Sequence, residues 1–235
     1  MTSSKPLNKP DQYIQGWTEF YKLKFKVTPD VLIPRPETEL LVDEVLSYCH
    51  LTPVTCPLIL DIGTGSGNIA ISLASHLTSG NVNIIATDIS AKALKVARQN
   101  AKLHGVLDKI KFFQSDLLSA FTQNHARSSI NLFQPDVIVT NLPYIPSKRI
   151  PLLDSSVKDF EPHIALDGGE DGFNLYRKLF SQINQLNWQP KLIIGEIDHT
   201  HGKLAVKEAQ KYFPNAQIEV KKDLAKRIRI LKILL

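Results

Sequence analysis

The hydrophobic rhythm of the chain changes near residue 57. Before that point, apolar and polar positions alternate in two short runs, Trp17–Tyr21 and Leu23–Val27, the pattern of two strands joined as a hairpin. Pro29 and the run Ile33-Pro34-Arg35-Pro36 force the next backbone to be extended. From Thr38 the apolar positions take helical spacing through Leu40, Leu41, Val42, Val45 and Leu46, with Glu39 at the start, where the helix dipole favours an acid. After residue 57, short apolar runs alternate with amphipathic stretches. The pattern predicts strands at Leu58–Ile62, Asn83–Thr87, Lys109–Gln114, Asp136–Thr140 and Lys191–Ile197. It predicts helices at Asn68–Leu77, Ala91–His104, Gly172–Leu186 and Lys203–Tyr212. Two last strands, Gln217–Lys221 and Ile228–Leu234, suit an antiparallel pair closing the sheet, and the polar stretch 119–134 suits a loop or short helix.

The domain plan follows. Residues 1–11 are expected to be a frayed end, 12–36 a small β-hairpin with an extended linker, and 37–235 one α/β domain. Its seven strands form a mostly parallel sheet with helices on both faces.

Composition narrows the class. Of 235 residues, 43% are hydrophobic and 22% charged, which is ordinary for a globular protein. No apolar run approaches the roughly 20 residues a membrane span requires, and the first fifteen residues lack a signal peptide's apolar core. Cys49 and Cys56 have no metal or redox spacing, so a reduced, cytoplasmic protein is expected. The net charge is +5, with much of the excess late in the chain, at Lys203, Lys207, Lys211, Lys221, Lys222, Lys226, Arg227, Arg229 and Lys232. Such a surface suits weak nucleic-acid or ribosome contact, and equally a solvated basic face.

Strand ends carry the candidate chemistry. After Leu58–Ile62 comes Gly63-Thr64-Gly65-Ser66-Gly67, a glycine turn opening a helix. The spacing fails the dinucleotide fingerprint G-x-G-x-x-G. With Asp61 two residues ahead it looks like the first motif of class I S-adenosylmethionine-dependent methyltransferases, a Rossmann-like fold. The turn could admit the amino-acid end of that cofactor, its carboxylate favoured by the helix start. About twenty residues on, Asp88 ends the next strand, placed to accept from both ribose hydroxyls. Asp116 could accept from the adenine amino group while Leu117 packs the ring.

Strand Asp136–Thr140 runs into Asn141-Leu142-Pro143-Tyr144. This tetrapeptide offers an amide, free carbonyls, a rigid proline and an aromatic wall, with no charged base. Asn141 Oδ1 and the Leu142 carbonyl can accept both N–H groups of a planar NH2 and steer its nitrogen toward an electrophile. A glutamine amide and the exocyclic amine of adenine both meet that description.

With these motifs in place the chain resembles the HemK/PrmC family of release factor glutamine methyltransferases. Further motifs carry the likeness: Tyr13-Ile14-Gln15-Gly16, Val31–Glu39 with its Pro-Arg-Pro-Glu-Thr-Glu, Glu161–Gly172 with Gly-Gly-Glu-Asp-Gly, and Lys222-Asp223-Leu224 followed by Arg229. The resemblance spans about residues 12–233. It implies methyl transfer to the glutamine of the Gly-Gly-Gln motif in a peptide chain release factor, with Asn141–Tyr144 holding the glutamine and Gly63–Gly67, Asp88, Leu117 and Asn141 contacting the cofactor. There are two departures. Leu142 stands where the family has Pro, and members carry an N-terminal helical domain where only about eleven residues precede Tyr13 here. The expectation is a monomer that docks its release factor with less surface.

Other residues are open to plainer readings. Glu37 and Glu39 border the substrate cleft or sit at an exposed helix start. His199 and His201, with Glu196 and Asp198, would share a strand face, yet lack a third ligand of matching geometry, so no metal is expected. His104, His125 and His163 suit surface or loop positions, Cys49 a helix core, and Glu170 and Asp171 the cap of the helix near Gly172. Two other functions stay open: an adenine-N6 methyltransferase on RNA or DNA, and a cofactor-binding protein without activity.

Overall fold

The computed structural model describes residues 8–51, 57–77, 83–122 and 134–235. Cys56, His125, most of the predicted frayed end and most of the 119–134 stretch lie outside them. A short helix α1 (Asp11–Gln15) comes first, at the start of the segment read as hairpin and linker and overlapping the expected frayed end only at Asp11. Hairpin β1 (Trp17–Phe20) and β2 (Leu23–Lys26) turns through Tyr21 and Lys22, both at positive φ (50° and 59°). Two non-glycine residues accept that conformation because α2 (Glu39–Leu51) pins Tyr21: Glu39 accepts from its N–H and Asp43 from its hydroxyl, each at 2.7 Å.

The alternation then unfolds as read: β3 (Leu58–Ile62), α3 (Asn68–His76), β4 (Asn83–Asp88), α4 (Ala91–Leu103), β5 (Ile110–Gln114), short α5 (Ser119–Thr122) and β6 (Val137–Thr140). One-turn helix α6 (Ser155–Lys158), α7 (Asn174–Gln185), β7 (Leu192–Glu196), α8 (Gly202–Tyr212), β8 (Gln217–Lys222) and β9 (Ile228–Leu234) complete it. Strands β3 to β9 pair in the order β5-β4-β3-β6-β7-β9-β8, parallel except for β9, which is antiparallel to both neighbours. The central strands are buried on both faces, so they read as continuous apolar runs. Within β6, Val137 and Val139 join the core under α2 and α3, while Ile138 faces the core under α7 and α8.

This order reverses between β3 and β6, the place where open α/β sheets open a crevice at the strands' carboxyl ends. The register sets that crevice. Ile62 lies opposite both Thr87 and Thr140, and Thr140 opposite Gly195. The next residue on each strand is therefore Gly63, Asp88, Asn141 and Glu196, in one row along the edge.

Candidate active site

Above that row lies a cleft open to solvent. Gly63, Thr64, Gly65, Ser66, Asp88, Asp116, Leu117, Asn141, Leu142 and Pro143 all line it. Of the residues singled out in the sequence, Asp61, Gly67 and Tyr144 do not. Asp61 is wholly buried behind the glycine turn, where Thr64 donates to its Oδ2 at 2.6 Å and the Ala70 N–H at 3.3 Å. Burial pushes its carboxyl up to about 7, against the pull of those two donors. Asp61 therefore shapes the turn from beneath. Gly67 faces α4, and the Tyr144 hydroxyl turns inward.

At Gly65 (φ 56°) a Cβ would point into open space on the cleft side. Both oxygens of Asp88 accept backbone N–H groups, from Gly65 and Ser90 at 2.8 Å each, and the Ile89 N–H also bears on the carboxylate, which together fix it in place. Burial raises this carboxyl while those N–H groups lower it. Ile89 lines the same cleft and is half exposed. Leu117 sits at φ 52°, an uncommon left-handed position for a leucine, which sets its side chain in the cleft wall. A fixed diol acceptor between apolar walls fits a nucleoside. Asp116 is already paired with Lys178 at 2.5 Å, a partner the sequence did not reveal.

The acceptor side centres on Glu196, considered in the sequence only as a neighbour of two histidines. Its side chain is buried at the end of β7, and three groups donate to it: Thr38 Oγ1 (2.6 Å) and Asn141 Nδ2 (3.1 Å) to Oε2, and the Tyr144 hydroxyl (3.0 Å) to Oε1. Asn141 Nδ2 also donates to Thr38 Oγ1 at 3.0 Å. With its nitrogen held there, the amide leaves Oδ1 for the cleft. Among the described residues no hydrogen bond reaches Asn141 Oδ1 or the Leu142 carbonyl oxygen. Burial raises the Glu196 carboxyl above the ordinary glutamate range, opposed by the Thr38 and Tyr144 donors and by Arg229.

The Gly-Gly-Glu-Asp-Gly loop braces this segment. Ile145 donates to Leu166 O (3.1 Å) and Gly168 to Ile145 O (2.9 Å), a parallel bridge. A Cβ on Gly168 would stand 2.8 Å from both Pro143 O and Tyr144 Cα, so glycine permits the approach. Asp171 does not cap α7, whose N-cap position is Phe173 with no side-chain cap bond; it accepts from the Phe173 N–H and pairs with Arg177, which chiefly holds its carboxyl down at about 2. Leu142 packs onto the Gly63 turn, 3.4 Å from where a Cβ would lie, and is buried. The leucine thus joins the two strand-end loops.

His199 and His201 do not share a strand. β7 stops at Glu196, and Asp198 turns the chain by accepting from Thr200, so His201 lands before α8. Glu39 serves the hairpin, and Glu37 lies 4.0 Å from Arg229; neither lines the cleft. Of the late basic residues, Lys211, Lys221, Arg229 and Lys232 are paired with Glu208, Glu44, Asp223 and Glu44.

Comparison with known proteins adds to this geometry. Residues 58–212 match a family described as a methyltransferase domain. A release factor glutamine methyltransferase of Lactococcus lactis subsp. lactis is 37% identical over 227 residues, covering 96% of this chain and 77% of the relative. One from Moorella thermoacetica is 42% identical over 199 residues, covering 85% and 65%. In fold, the chain is similar to ribosomal protein L11 methylase of Lactobacillus delbrueckii subsp. bulgaricus (TM-score 0.57, 20% identity, 88% and 82% coverage). It is similar also to the human Mettl16 catalytic domain solved with an RNA hairpin (TM-score 0.68, 15% identity, 91% and 76% coverage).

Proposed function

The chain belongs to the family of release factor glutamine methyltransferases, and on that premise we propose that it methylates the side-chain amide nitrogen of the glutamine in the Gly-Gly-Gln motif of a peptide chain release factor. Gly63–Ser66, Asp88, Ile89, Asp116 and Leu117 would hold S-adenosyl-L-methionine, which would supply an electrophilic methyl on a sulfonium. The observation that carries the reading is the direction of the Asn141 amide. Glu196 and Thr38 take its nitrogen end, and Oδ1 is left beside the Leu142 carbonyl.

A carboxamide nitrogen is a weak nucleophile because its lone pair is delocalised. Asn141 Oδ1 and the Leu142 oxygen accept the two N–H groups of the substrate and turn the lone pair toward the cleft. Positive charge grows on that nitrogen as the new bond forms, and both hydrogen bonds strengthen with it. A carboxylate behind the Asn141 NH2 polarises the amide and makes Oδ1 a stronger acceptor. The nitrogen then loses one proton to water in the open cleft. Proximity contributes further, up to about 7–11 kcal/mol in well-oriented systems.

The test offers the protein radiolabelled cofactor together with purified release factor, bulk RNA and DNA. Label is expected on the release factor, and Asn141→Ala should abolish it while cofactor binding persists. Label on nucleic acid alone would transfer the same cradle to adenine. Cofactor binding with no labelled acceptor would make the chain a binding protein.

A further inference from the structure

Asp30, Asp88 and Asp116 are the acids lining the cleft, and Arg35 is its single cation among the described residues. The proposed cofactor ends in an amino acid whose α-carboxylate has to lie among those acids. Several backbone donors at the glycine turn are taken, while the N–H groups of Ser66, Asn68 and Ile69, which line the cleft, meet no acceptor among the described residues. Gly63 and Thr64 N–H go to Thr87 O, Gly65 N–H to Asp88, Gly67 N–H to Thr64 O and Ala70 N–H to Asp61. The helix start, expected from the sequence to favour that carboxylate, offers the Asn68 and Ile69 N–H groups, while the next one, of Ala70, serves the protein's own Asp61.

Arg35 adds a full positive charge to those neutral donors. Pro34 and Pro36 flank it, and its backbone is extended (φ −100°, ψ 142°). One nitrogen of its guanidinium, a third exposed, donates to Glu161 Oε1 at 2.5 Å. Glu161 is 1% exposed at its side chain, and its Oε2 has no partner. Arg35 lines the cleft, and no other acceptor among the described residues reaches its guanidinium, so most of its five N–H donors have no partner within the protein. We propose that Arg35 reads the α-carboxylate of the cofactor's amino-acid tail, with Glu161 as the residue that aims it. The proposal rests on the cofactor reading above and deepens it: the site selects a thioether nucleoside that carries a free carboxylate.

Calorimetry with three ligands tests it: S-adenosylhomocysteine, its methyl ester, and 5′-methylthioadenosine, which lacks the tail. The wild-type chain should prefer S-adenosylhomocysteine to its ester by about 10- to 100-fold, the range of a charge-assisted pair. Arg35→Met should erase that preference and leave 5′-methylthioadenosine binding unchanged, and Arg35→Lys should restore part of the preference. Since Arg35→Met strands a buried carboxylate, the double variant Arg35→Met with Glu161→Gln repeats the measurement in a fold relieved of that charge. Glu161→Gln alone should weaken the preference without removing it.

A wild-type preference surviving in the double variant overturns the assignment, as does a wild-type chain indifferent to the ester. An equal loss of all three ligands in both Arg35→Met variants also overturns it, because Arg35 would then be a scaffold residue. Failure of the wild-type chain to bind any of the three would instead sink the cofactor reading itself.

Discussion

Rotating the Asn141 side chain by half a turn would set its carbonyl oxygen against the Glu196 carboxylate, two acceptors facing each other in a buried network. That repulsion gives the amide its direction, and it predicts how Glu196→Gln behaves. The variant should fold and bind cofactor, while kcat falls on the order of 10²-fold because Asn141 loses its reference. Acid should act similarly on the wild-type chain. The Glu196 carboxyl lies above its ordinary range, so protonation there removes the acceptor and kcat drops on the acid limb of a pH profile. Stability runs the other way. A carboxyl raised by burial binds its proton more tightly folded than unfolded, so its ionisation costs stability as pH rises. Asp61 tests that sign more cleanly. Its folded value of about 7, against 3.8 ordinarily, means no penalty below about pH 4 and a growing one through pH 7. Asp61→Asn should therefore leave denaturant stability unchanged near pH 4 and raise it by up to about 4 kcal/mol at pH 8. Neither Glu196 nor Thr38 was legible as a site residue from the sequence, because their bond spans 158 positions. The available signal was a carboxylate ending an otherwise apolar strand beside Asp136–Thr140.

Elements with long apolar runs were readable because burial on both faces leaves no other pattern open to them. Each of β3, β4, β6 and β7 falls within about a residue of its expected bounds. The pieces missed are those made by tertiary contact: the left-handed backbone of Tyr21 and Lys22 in the expected hairpin turn, α1, α6, and the 3₁₀ turns Ser147–Leu152 and His163–Ala165. Local periodicity says nothing about a hairpin turn fixed by Glu39, or about loops that exist to brace another loop. The contact between Gly168 and Pro143 makes the bracing testable. Gly168→Ala should cost about 1–3 kcal/mol by overpacking. It should also lower kcat more than tenfold by displacing the Asn141–Tyr144 backbone, as steady-state kinetics beside urea titration would show.

For the whole molecule, net charge and topology bear on different questions. Four of the nine late basic residues are paired within the chain, which thins the surface left for phosphates. Bulk RNA added at about 0.15 M salt should slow release factor labelling by less than about twofold, in a competition assay repeated at lower salt. The strand order placed the crevice before any side chain was considered, since a reversal between β3 and β6 leaves one natural gap.

The hydrogen bond from Thr38 to Glu196 has a consequence for modularity. Residues 58–212 carry Asp88, Asp116, Asn141 and Glu196, yet Thr38 and Arg35 precede that block, and Arg229 follows it. Transplanting the block alone into another scaffold would leave Asn141 and Glu196 without the Thr38 hydroxyl that both engage. The two flanks thus complete the hydrogen-bond network at the sheet's edge.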